Sequence, residues 1–184
     1  MASVKKNAAR QGRTLVFIDE SGLSERPTRA RTWAPRGHTP VLQYHFNWHQ
    51  LSLIAGVTVW RFYFRLFPGS IKGPQVVEFL KALRRQLKRR LLIIWDGLPA
   101  HRGGVVRDYL ETQRGAVQIE RLPAYAPELN PVEYVWAHLK THVVANFCAA
   151  DFAQLTHFAR RRLASMQRRS TLIRAFCQQA ELSL

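Results

Sequence analysis

Hydrophobic positions in this chain form short unbroken runs at first and take up a helical period later. The clearest run is residues 91–95 (LLIIW), which leads straight into Asp96 before Gly97 and Pro99 break the chain. A short apolar run bounded by turn residues reads as a strand buried on both faces of a sheet. Residues 14–18 (TLVFI) repeat the pattern and lead into Asp19, followed by Glu20, Ser21 and Gly22. Both strands are expected to end on a carboxylate, at the sheet edge where α/β proteins place their ligands. An isolated buried charge is too costly to keep, so Asp96 needs a cation, a metal or water beside it.

The other elements follow from the same pattern. Residues 50–60 and 61–67 are apolar and β-rich and predict two adjacent antiparallel strands, ended by Pro68 and Gly69. Residues 24–40, turn-rich and basic, read as a loop followed by short edge strands. Residues 74–90 change period: Val76, Phe79, Leu80, Leu83 and Leu87 recur at helical spacing, and Pro74 suits the first turn. Residues 105–113 predict a helix, 117–122 a strand and 123–127 a loop. Asn130 and Pro131 open a helix carrying Val132, Val135, Trp136, Leu139 and Val143, and a last helical region covers 151–180. The succession predicts an α/β sheet, antiparallel early and parallel later.

Charge is the unusual part of the composition. Twenty-eight Lys and Arg against twelve Asp and Glu give a net charge of +16, which favours a polyanionic partner, nucleic acid before an anionic membrane. No apolar run approaches the roughly 20 residues of a membrane span, and the N-terminus has no apolar signal core. Cys148 and Cys177 have no metal-type spacing and make a thin disulfide framework, so a reducing cytoplasm is expected. A length of 184 residues suits one compact domain, or one with an arm.

Basic residues gather in several places. Residues 1–13 carry Lys5, Lys6, Arg10 and Arg13 and read as a solvated tail or a linker lying on phosphates. The polar face of the 74–90 helix carries Lys81, Arg84, Arg85 and Lys88, a candidate DNA-contacting set together with His101 and Arg102 beyond the central strand. Cations near a helix C-terminus also suit its dipole, so the helix cluster has a second explanation.

Twelve acids in so basic a chain make a short list of candidates. Asp19 and Asp96 meet at one sheet edge if their strands are neighbours. Glu133 is the third candidate, although Asn130, Pro131 and Glu133 also fit a capping box, and Glu128 is its rival one turn earlier. Carboxylate oxygens are the hard ligands that Mg²⁺ and Mn²⁺ prefer, and a pair of such ions lines up attacking and leaving oxygens in phosphoryl transfer.

Four motifs, FIDESG at 17–22, TWAPRG at 32–37, IWD at 94–96 with His101, and YAPELNPVE at 125–133, closely resemble the insertion-sequence 630 transposases. These are bacterial relatives of mariner in the DDE superfamily, and the likeness spans roughly residues 14–147. The resemblance puts a metal-binding triad on Asp19, Asp96 and Glu133, with 36 residues between the last two, and so favours Glu133 over Glu128. It implies a ribonuclease H-like fold: a mixed five-stranded sheet, first three strands antiparallel, flanked by helices. It also implies two Mg²⁺ or Mn²⁺ ions, cleavage at transposon ends by activated water, and attack of the freed 3′-OH on double-stranded target DNA at TA. A homodimer and a bacterial, nucleoid-associated cytoplasmic location follow by analogy.

The resemblance divides the chain into a basic tail or linker (1–13), a catalytic domain (14–147) and a basic helical extension (148–184). Family members usually carry an N-terminal helix-turn-helix that binds the terminal repeats, and residues 1–13 leave no room for one. The expectation is therefore the catalytic half of a split element, served by a separate helix-turn-helix chain, or a truncated copy. An inactive DNA-binding remnant and a structure-selective nuclease are the competing functions. His138 and His142 sit four apart but lack a third zinc ligand and read as a packing pair, and His45 and His49 are no stronger. His101 follows the central strand and is expected to orient DNA or water near the acids. Ser21 has no His/Asp arrangement to make it a nucleophile.

Overall fold

The computed structural model describes residues 2–44, 49–97, 101, 103–123 and 126–182. Its centre is Arg13–Ser24 (β1), flanked by the antiparallel strands Gln50–Val57 (β2) and Phe62–Pro68 (β3) on one side. Arg90–Trp95 (β4) and Val117–Arg121 (β5) add parallel neighbours on the other side, giving the order β3-β2-β1-β4-β5. This is the expected mixed five-stranded sheet with its first three strands antiparallel.

The unbroken apolar character of β4 follows from its central position. Leu92 and Ile94 enter one core while Leu91, Ile93 and Trp95 enter the other, so alternation leaves no face for polar residues. Gly73–Leu87 (α2) covers the second core with Val76, Phe79, Leu80 and Leu83, joined by Val106 and Tyr109 of Gly104–Thr112 (α3). Helix α2 lies close on the sheet at Gly56, where a Cβ would stand 3.2 Å from Val16 and 3.3 Å from Phe79. The first core is covered by Pro131–His138 (α4), Phe152–Gln167 (α5) and Ser170–Gln179 (α6), through Val132, Val135, Leu163 and Ile173.

Several boundaries differ from the pattern-based expectation, each for a local reason. Helix α2 ends at Leu87 rather than Arg90, because Lys88 turns left-handed (φ 50°) and its N–H donates to the Arg84 carbonyl. The edge strands expected within 24–40 do not form: β1 runs on to Ser24, which pairs directly with Gln50, and residues 25–44 carry no strand. The last helical region is two helices, since Arg169 leaves the helical range (ψ 78°). The basic N-terminal segment is helical over Ala2–Arg10 (α1), with Val4 and Ala8 packed on the first core. Among the described residues no helix is long and apolar enough to cross a membrane.

Candidate active site

Asp19 does not end its strand, as expected from the apolar run; it sits inside β1, paired with Ala55 of β2. What ends there is the neighbour. The parallel ladder stops at Phe17 opposite Ile94, and continuing that register by two residues sets Asp19 level with Asp96, the residue after β4. The two acids therefore share one sheet edge, as the spacing implied, although only Asp96 lies at a strand exit.

The third acid arrives on α4. Asn130, almost fully buried, caps this helix by accepting the Val132 N–H at 3.1 Å, and Pro131 occupies the first turn. The side chain of Asn130 thus supplies the cap, and Glu133 stays exposed, with its charge acting on Asp19. One turn further on, the buried Trp136 donates its Nε1–H to Asp19 Oδ2 at 2.9 Å. That bond ties α4, and with it Glu133, to the middle of β1. Beyond His138 the helix widens into a π-helical turn, Leu139–Val143, closed by the Val144 N–H on the Leu139 carbonyl.

Asp19 is 9% exposed, and its carboxyl is raised from 3.8 to about 7. Burial is the main cause, followed by the charge of Glu133, with Asp96 adding to it; bonds from the Glu20 backbone and the Trp136 indole oppose the rise. Asp19 therefore feels both other acids, which come from remote parts of the sequence.

Asp96 has a second partner. His101 Nδ1 lies 3.0 Å from Asp96 Oδ1 and 3.3 Å from the Asp96 carbonyl, while Nε2 lies 3.0 Å from Glu20 Oε1. The imidazole is buried and stacked on Trp95, ring centroids 4.3 Å apart at 11°. Burial alone would lower its pKa, but the bonds to Asp96 and Glu20 outweigh this and raise it from 6.5 to about 9. Glu20 reaches this side because neighbouring residues on a strand point to opposite faces: Asp19 toward α4, Glu20 toward Trp95. Sequence reasoning gave no role to Glu20 and read Trp136 only as a core residue. The adjacent DE pair and an indole three residues after Glu133 were the available signals.

The other candidates lie apart from this edge. Lys81 and Arg85 are exposed on α2, and Lys88 at its C-cap; this helix covers the sheet face opposite α4. Lys81 stands 5.8 Å from the Tyr109 ring centre, and Arg84 donates to the Arg89 carbonyl. Arg102 and His45 lie outside the described residues. His138 packs against His142 and Phe176, at 5.3 and 5.6 Å between ring centroids. His49 meets the edge of Phe152 at 5.7 Å.

As donors, Asp19, Asp96 and Glu133 fit a hard divalent cation in kind, since all offer carboxylate oxygens. Such an ion would offset the burial and the neighbouring negative charges that together raise Asp19. Among the described residues no three His, Cys, Asp or Glu side chains close into a ready-made coordination cage. The charges of Glu133 and Asp96 act on Asp19, and His101 holds Asp96.

No curated protein sequence matches the chain significantly. Among solved structures, the Mos1 strand transfer complex aligns with a TM-score of 0.68 and 22% identity, over 97% of this chain and 55% of that one. The Mos1 mariner paired-end complex with Mn aligns at 0.69 and 19% identity, over 98% of this chain and 58% of that one. The catalytic domain of Mos1 mariner transposase aligns at 0.58 and 18%, over 97% of this chain and 89% of that one. The chain thus spans little more than half the length of the first two, and these likenesses establish the ribonuclease H-like fold. The model of the family described as DDE superfamily endonuclease matches residues 14–156. With most of its length inside that match, the chain belongs to the DDE superfamily endonucleases.

Proposed function

We propose that this chain is the catalytic domain of a DDE transposase of the insertion-sequence 630 branch, which cuts DNA at transposon ends and joins the ends to target DNA at TA. Residues 14–147 form the catalytic unit, and 1–13 and 148–184 its basic flanks. Asp19, Asp96 and Glu133 hold two divalent cations, Mg²⁺ or Mn²⁺. What carries this reading is the convergence of Asp19, buried within β1, with Asp96, level with it just after β4, and with the helix of Glu133, which Trp136 bonds to Asp19. The Mos1 paired-end complex named with Mn supports the choice of a divalent ion of this kind.

Ions bound there supply the positive charge that lines up attacking and leaving oxygens in phosphoryl transfer. The protein's own residues do the rest. Trp136 fixes Asp19 Oδ2, so the carboxylate is already oriented when it ionises. The helical frame that carries Trp136 also brings Glu133 to the edge. The net charge of +16 draws in the DNA backbone, and Lys81, Arg84, Arg85 and Lys88, with His101 and Arg102, are the residues we assign to DNA contact and orientation. The working form is a homodimer in the bacterial nucleoid.

The test incubates the purified chain with a duplex carrying the terminal sequences that flank its own reading frame, with Mg²⁺ or Mn²⁺. Metal-dependent nicking at the ends, followed by joining and lost in Asp96→Asn, is the expected result. Nicking at any distorted duplex without joining would favour a structure-selective nuclease. Metal-insensitive binding without cleavage would favour a DNA-binding remnant.

A further inference from the structure

We propose that Glu20 and His101 act as a positioning pair for Asp96, Glu20 holding the imidazole and the imidazole holding the carboxylate. This rests on the reading of Asp96 as a ligand for a divalent cation. Asp96 follows the last residue of β4, and its side chain is 41% exposed, whereas the His101 side chain is 2% exposed. An exposed carboxylate on a short side chain has several orientations open to it, and a ring packed flat on Trp95 has essentially one. The 3.0 Å contact from His101 Nδ1 to Asp96 Oδ1 therefore passes the rigidity of the ring to the acid.

The role of Glu20 lies on the far side of the ring. Its Oε1 stands 3.0 Å from Nε2, while Nδ1 faces Asp96 Oδ1 at 3.0 Å, so the ring is gripped at both nitrogens. With the Trp95 stack, these contacts fix the ring in the plane that meets Asp96. Glu20 can do this because it follows Asp19 on the strand and faces the opposite side. The adjacent pair thus serves two ends of one site, Asp19 directly and Glu20 through His101. Partners of this kind behind metal-binding side chains typically change metal affinity by about 10–100-fold.

The experiment measures Mn²⁺ affinity by titration calorimetry on the full chain without DNA, for wild type, His101→Ala, Glu20→Ala, the double variant and Asp96→Asn. Circular dichroism monitors the fold. The expected result is a loss of about tenfold or more in each single variant with native dichroism. The double variant should fall within about twofold of His101→Ala, because Glu20 acts through the ring. Unchanged or tighter Mn²⁺ binding in a folded His101→Ala overturns the proposal. Should that variant not fold, unchanged affinity in a folded Glu20→Ala overturns it equally. Wild-type Mn²⁺ binding that Asp96→Asn leaves intact overturns the functional reading as well, whereas binding that needs Asp96 but ignores His101 and Glu20 overturns this inference alone.

Discussion

Trp136 donates its indole N–H to Asp19 Oδ2 at 2.9 Å, across 117 residues of sequence. It is a bond between a helix and the strand it covers, and it joins a hydrophobic core residue to a candidate catalytic acid. Trp136→Phe keeps the packing and removes the donor. The variant should lose about 1–3 kcal/mol at about pH 8, where Asp19 is largely ionised, and less at about pH 5, where it is protonated. Urea unfolding at the two pH values measures the difference. Equal losses at both would mean that the bond does not select the ionised form.

The metal-free protein should become less stable as pH rises from acid to mildly alkaline. Asp19 is raised from 3.8 to about 7, so its contribution is fully present below 3.8 and is lost as pH rises through about 7. His101 is raised from 6.5 to about 9, so its contribution is complete below 6.5 and is lost through about 9. Both groups act in the same direction and in successive windows. Melting temperatures recorded with a chelator across this range should fall in two overlapping steps, and Asp19→Asn should remove the first. A rising curve would contradict both assignments.

Asp19→Asn should stabilise the metal-free fold at about pH 8, by an amount on the order of 2 kcal/mol, because it removes a buried charge that Glu133 and Asp96 repel. The amide oxygen can still accept the Trp136 N–H. The same variant should keep or raise its affinity for DNA without metal, since one negative charge leaves a polyanion-binding surface. Denaturant unfolding and fluorescence anisotropy read the two effects. A large loss of DNA affinity would show that Asp19 holds the fold of the DNA-binding face and is not simply a ligand awaiting a cation.

The α2 surface gives an independent test of where the DNA lies. Replacing Lys81, Arg85 and Lys88 together with Gln should flatten the dependence of log affinity on log salt by about 0.9 per lost phosphate contact. These side chains are exposed and lie on the sheet face away from α4, so the fold should be unaffected. An unchanged slope would move the DNA to another surface, such as the basic helices of the C-terminal region.

Much of this arrangement is legible in the sequence. The 91–95 run is unbroken because β4 is buried on both faces, and that placed Asp96 at a strand exit. Proline and asparagine at the start of α4 fixed the helix that carries Glu133. The length of β1 was not legible: its apolar run stops at Ile18, yet β2 supplies ladder partners as far as Ser24, and tertiary pairing overrides the local pattern. The Glu20–His101–Asp96 cluster was also hidden, because its members meet only through the parallel register of β1 and β4 and the return of the chain after β4. A list of acids does not show which side of a strand each one faces.

A crystal of the chain soaked in Mn²⁺ and measured for anomalous scattering shows whether the three acids share an ion. Density is expected at the sheet edge, within coordination distance of carboxylate oxygens from Asp19, Asp96 and Glu133 together. Manganese bound elsewhere, or an edge that stays without it at saturating concentration while the three acids keep apart, would mean that these acids are not the metal site.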